Sequence, residues 1–251
     1  MKGVARSLAL IACGLLWAAH AQAQTADEVV EKHLAAMGGR ATLAKITSEI
    51  ATGTITMSAQ GVDLTGPVEI YEKAPNKSRT YFKLDLSQLG AGELIIDQRC
   101  DGKTAYASNS LQGDREITGS QLQGMLNAHF PTPLLNYKEL GAKVEMVGKD
   151  TIGSRAVYVL QYTPKAGPSS RQFFDAQTFL VVRSVAKVET PDTGGEMEQT
   201  SDLEDYRDVD GIKVPFTIKV TNPQQVFSIS IAKVEHNTAI DDAMFSRPAV
   251  K

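Results

Sequence analysis

Histidine and cysteine are the side chains best suited to metal binding or nucleophilic chemistry near neutral pH. This chain uses few of them: four histidines and two cysteines in 251 residues. His33, His129 and His236 stand far apart and in no metal-ligand spacing, and HExxH and CxxC are absent. Cys100 has no nearby histidine to activate it, so it reads as a small buried hydrophobe. Ser154 lies in Ile152-Gly153-Ser154-Arg155, a hairpin turn and not a G-x-S-x-G elbow. Asp202, Glu204 and Asp205, with Asp208 and Asp210 beyond, alternate across a strand. They lack the glycine and terminal glutamate of a calcium loop and read as a solvated strand face. Asp175 and Glu204 are the carboxylates a hydrolase would pair as acid and base. The expectation is a protein without cofactor or metal, and not an enzyme.

The start of the chain speaks to location. Lys2 and Arg6 precede the uncharged apolar stretch Ser7–Ala19, and Ala21-Gln22-Ala23 follows with a small-x-small cleavage pattern. That is the layout of a secretory signal over residues 1–23, too short for a lasting membrane span. The mature chain is expected to start at Gln24 and to be soluble in the periplasm. Leu10-Ile11-Ala12-Cys13 offers a second possibility, a lipobox with Cys13 as lipid anchor. Against it, only six residues separate Arg6 from Cys13, and the apolar run continues through Trp17.

Removing 23 of 251 residues leaves 228, enough for a full core in one large β-rich domain or two small ones. The formal charge of −3 becomes −5 once Lys2 and Arg6 leave. That balance argues against nucleic acid or an acidic membrane as the main partner. Cys100 would then be the one remaining cysteine, so packing and not disulfides must hold the fold.

Two kinds of hydrophobic period divide the mature chain. Val29, Val30, His33, Leu34 and Met37 fall on one helical stripe, with Thr25 or Asp27 as cap and Gly38-Gly39 as stop. From Ile46 the period becomes two, through about ten or eleven strands joined by short turns. No βαβ spacing appears, which excludes a Rossmann fold. Gly119–Tyr137 interrupts the strands with a short helical face of Leu122, Met125 and Leu126, ended by Pro131 and Pro133. A long antiparallel meander must twist, and two helices leave part of one face uncovered. Either a tight core or a hydrophobic cavity results.

Four stretches resemble one family. They are Ala26–Ile46 running into the Gly53–Ile55 strand, Phe173–Arg183, Asp205–Val220, and Ile231–Pro248, where Ile240, Phe245 and Pro248 tie down the tail. The Tyr-x-x-x-x-Gly-x-x-x-Pro strand pair at Tyr206–Pro215 is the most specific. In order, these resemble the periplasmic lipoprotein-sorting proteins related to the LolA carrier, in the broad sense. The resemblance implies a mainly β fold: a strongly curved antiparallel sheet, a half-open β-barrel, with helices covering its concave face. Residues 24–251 would form a single such domain carrying the helical insert 119–137. It implies a non-catalytic carrier that shields acyl chains of a lipid or lipoprotein, met by membrane-bound donor and acceptor proteins. A monomer that binds no nucleic acid is expected. The alternatives are a structural or protein-interaction β domain with a filled core, and a carboxylate-dependent hydrolase.

Strand parity selects the residues expected to line such a cavity. Phe82, Leu84 and Leu86 share a face, as do Leu94 and Ile96, Tyr158 and Leu160, and Phe216 and Ile218; Met57 and Phe227 lie on comparable strands. Their alternate neighbours include Lys83, Asp85, Thr217 and Lys219.

Overall fold

The computed structural model describes residues 24–59, 61–189 and 195–247. The expected signal, the Cys13 lipobox, the Gln60 half of one turn, the Pro191–Gly194 turn and Pro248 lie outside the described residues. Helix α1 (Ala26–Ala36) opens with a capping box: Glu28 N–H donates to Thr25 Oγ1, and Thr25 N–H donates to Glu28 Oε2. Gly38 ends it at φ 123°, where an added Cβ would lie 2.2 Å from the Gly211 carbonyl oxygen. Only glycine permits that approach. A single turn, α2 (Arg40–Leu43), then leads into the sheet.

The strands follow two meanders. The first runs β1 (Ser48–Ala59), β2 (Val62–Lys73), β3 (Lys77–Asp85), β4 (Glu93–Cys100), β5 (Ala105–Asn109) and β6 (Gly113–Ile117). Helix α3 (Gly119–Asn127) and a 3-10 turn at Pro133–Leu135 carry the chain across. The second meander runs β7 (Lys143–Ile152), β8 (Arg155–Thr163), β9 (Ser170–Asp175), β10 (Val181–Glu189), β11 (Glu196–Val209), β12 (Ile212–Thr221) and β13 (Val226–His236). All thirteen form one antiparallel sheet in the order β6-β5-β4-β3-β2-β1-β13-β12-β11-β10-β9-β8-β7. The first and last strands therefore meet in the middle, from Glu49 opposite His236 to Ser58 opposite Val226.

This topology corrects the expected strongly curved, half-open β-barrel. The sheet is open, and β6 and β7 are its two edges. Closure requires strand tilt and a defined register stagger, and two-residue alternation encodes neither. The strand number is also higher than expected. Strand β6, GDREI, exposes four of its five residues and has no apolar alternation to mark it.

Four apolar clusters hold the sheet and its helices. Val29, Val30 and Leu34 of α1 pack on Leu160, Tyr162 and Phe174. Leu122, Met125 and Leu126 of α3 pack on Cys100, Ala105 and Ile117. Tracing cross-strand partners from Ala105 through the central strands to Leu160 places both helices on the same face of the sheet. On the opposite face, Val157, Val159, Phe173 and Val185 form a third cluster. There too the C-terminal segment docks: Phe245 is fully buried, Arg99 Nη1 donates to the Ser246 carbonyl, and Lys73 and Lys77 both bind Asp242.

Candidate functional site

The fourth cluster lies between the two helix-covered wings. Its buried members are Ala51, Ile55, Leu64, Val68, Leu84, Leu86, Phe216, Ile229 and Ile231. No residue of α1, α2 or α3 belongs to it. Register explains why these side chains share a face. Ile55 is opposite Ile229, Met57 opposite Phe227, Val68 opposite Phe82, Leu84 opposite Leu94, and Ile218 opposite Ile229. Gly53 lies in the same row of β1, where a Cβ would meet the Ser230 carbonyl oxygen at 2.1 Å. The register shift between Thr52 and Gly53 falls at that close approach.

Eight of the eleven residues selected by parity fall in or against this cluster. Leu84, Leu86 and Phe216 are buried within it. Met57, Phe82, Leu94, Ile218 and Phe227 are half-buried against it. Ile96 is half-buried on the same face, opposite Phe82. Tyr158 and Leu160 lie elsewhere, under α1. Sequence reasoning missed Ile70, Val68, Ile229 and Ile231, although each continues the alternation of a strand already recognised.

An open cleft of about 260 Å³ adjoins one end of this face. Ile46, Thr47, Ala74 and Pro75 form one wall; His129, Phe130, Pro131, Thr132 and Leu135 form the other. Burial holds the His129 imidazole below its ordinary range. None of the eleven selected residues lines this cleft. The sequence signal for it was the pair of proline-bearing breaks at Pro75 and Pro131, which end regular structure and place two loops together.

Beside the cleft, the apolar face carries charge. Glu72 on β2 is directly opposite Glu49 on β1, and Glu49 is directly opposite His236 on β13. His236 is 1% exposed at its side chain, with Nε2 3.1 Å from Glu49 Oε2 and Nδ1 3.0 Å from Asp210 Oδ2. Burial raises the Glu49 carboxyl while His236 opposes the shift. Burial and the Glu49 charge push Glu72 up to about 7. Of the two carboxylates a hydrolase would pair, Asp175 has a local role. Asp175 Oδ1 accepts from the Gln177 and Thr178 N–H groups and shapes its turn. Among the described residues no group of three or more His, Cys, Asp or Glu side chains is placed to hold a metal ion.

Comparison with known proteins places the architecture. A family model described only as "Uncharacterized protein" matches residues 137–251, and no curated protein matches. Solved structures do. A DUF1329 family protein from Desulfovibrio piger superposes with a TM-score of 0.56 at 12% identity, covering 90% of this chain and 99% of that one. A LolA superfamily protein from Nitrosomonas europaea gives 0.56 at 14% identity, with the same coverage. A proposed outer membrane lipoprotein-sorting protein domain from Vibrio parahaemolyticus gives 0.52 at 12% identity, covering 87% and 94%. The chain shares their fold. At these identities the likeness extends to architecture and not to any individual residue.

Proposed function

We propose that this protein is a non-catalytic periplasmic carrier, and that it holds the acyl chains of a lipid or lipoprotein on the apolar face between α1 and α3. The observation that carries this reading is the central cluster. It contains no residue of α1, α2 or α3, and Met57, Ile70, Phe82, Leu94, Ile218 and Phe227, which pack against it, are only half-buried. An apolar surface flanked by helices, and not covered by them, is what an acyl chain needs to leave water. The shared fold supports the same reading, because one of the similar structures is described as a lipoprotein-sorting domain. On this reading residues 1–23 are removed on export, residues 24–251 work as one domain, and membrane-bound proteins deliver and accept the cargo.

Native mass spectrometry tests it, on protein taken from its own cell fraction with parallel lipid extraction. A lipid or acylated-peptide adduct is the expected result. Absence of any adduct, under conditions that keep one on an established lipid carrier, overturns the reading. N-terminal sequencing of the same sample is expected to start at Gln24; a diacylated Cys13 would place the protein on a membrane instead.

A further inference from the structure

The charged row on the apolar face has an unusual proton balance. Both ring nitrogens of His236 face carboxylate oxygens. Both contacts are within hydrogen-bond distance, so the ring ties Glu49 and Asp210 into one row. Glu72 stands at the far end, opposite Glu49, with no hydrogen bond or ion pair of its own among the described residues. With Glu72 ionised, the row holds three carboxylates, and His236 is its one basic side chain. Like charges directly opposite on neighbouring strands weaken the pairing.

Among the described residues, no lysine or arginine forms an ion pair with Glu72 or Glu49. Strand β3 places the uncharged Ser78 opposite Glu72. Lys73 and Lys77 stand on the other face and are held by Asp242. The lysine nearest the Asp210 turn, Lys213, pairs with Asp208. Beyond His236, Asn237 Oδ1 accepts from the Thr47 N–H. His129 lies in the opposite wall of the cleft, and Lys45 directly precedes the cleft-lining Ile46 and Thr47.

The row also sits where strand ends become cleft wall. Two residues beyond Glu72 and two before Glu49 are Ala74 and Thr47, joined by the last bond of the β1–β2 ladder, Ala74 N–H to Thr47 carbonyl at 2.9 Å. Both residues line the cleft.

We propose that the Glu72–Glu49–His236–Asp210 row is a proton-operated latch on the cleft end of the β1–β2 pair. It is closed while Glu72 carries a proton and loosened when that proton leaves. The sign follows from the raised carboxyl. The folded state holds this proton more tightly than the unfolded chain, so its stabilisation is complete below about 4.5 and lost as pH rises through about 7. Loosening the last ladder bonds would widen the cleft at Thr47 and Ala74 without unfolding the sheet.

Amide hydrogen exchange on the full chain between pH 5 and pH 9, corrected for intrinsic rates, tests the latch. Protection at residues 48–52 and 70–74 is expected to fall about tenfold relative to β3–β4 amides as pH rises through 7. Glu72→Gln is expected to remove that fall. Equal pH dependence in the parent and Glu72→Gln overturns the proposal, as does a loss of protection shared evenly with β3–β4. Should Glu72→Gln fail to fold by circular dichroism, Glu49→Gln carries the test. Without the opposing charge the transition is expected at lower pH, and an unchanged midpoint overturns the latch.

Discussion

At the scale of single residues, burial separates side chains that parity alone treats as equals. Leu84 and Phe82 alternate on one face of β3, and both pack in or against the central cluster. Leu84 is fully buried, whereas Phe82 is half-buried. A charge at the first site has no water to reach. Leu84→Asp is therefore expected to cost several kcal/mol and to abolish the cooperative denaturation transition. Phe82→Asp is expected to leave a folded protein by circular dichroism and to reduce acyl binding in a fluorescent fatty-acid displacement assay. Full binding by folded Phe82→Asp would remove this residue from the binding face. Parity made the shared face of Phe82, Leu84 and Leu94 legible. It could not grade them, because exposure depends on what crosses above the sheet. Glu49 and Glu72 were equally invisible as a pair, since their meeting depends on the register of two strands joined through a turn.

At the scale of elements, α1 shows how a helix fixes a distant turn. His33 lies on its buried stripe, 4% exposed, edge-on to Phe174. Its Nδ1 donates to the Phe179 carbonyl at 2.9 Å. Phe179 adopts φ 59°, a conformation a bulky residue holds only when its surroundings impose it. The Phe179 ring stacks on Tyr158, with Lys32 of α1 above it. Burial lowers His33 to about 4, so the folded state binds its proton less readily than the unfolded chain. Its contribution to stability is complete above about 6.5 and lost as pH falls toward 4, up to about 3 kcal/mol. Urea denaturation at pH 7 and pH 4.5 should show this loss in the parent, and a smaller pH difference in His33→Gln. An identical pH dependence in both would assign the acid sensitivity elsewhere. The helix itself was plain in the sequence, from its stripe, cap and Gly38-Gly39 stop. The strained turn was not, because its cause lies 146 positions away.

At the scale of the whole molecule, the two meanders and their helical crossover were readable in outline. Closure was not, because it is a property of register summed over many strands. The tail contributes more than its length suggests. Residues 240–247 lie on the face opposite α1 and α3, with Phe245 fully buried and Arg99 donating to Ser246. Arg79 and Arg99 are both held by Asp97 beneath it. Phe245→Ala is expected to cost about 3–5 kcal/mol by removing a large buried ring. Chemical denaturation measures this directly, and a cost below about 1 kcal/mol would show that the tail is peripheral to stability.

The central position of β1 has a consequence in time. During synthesis β2 follows immediately and pairs along one side of β1. The other side must wait for β13, the last strand made. Through the making of eleven intervening strands, β1 keeps one row of backbone donors and acceptors unmatched. Each meander can assemble from short-range pairings, but the seam that joins them is the longest-range pairing in the sheet. The newborn chain therefore carries an open strand edge at its centre until its final strand arrives. A helper that masks that edge would act before the sheet is whole and would have no place to bind afterwards.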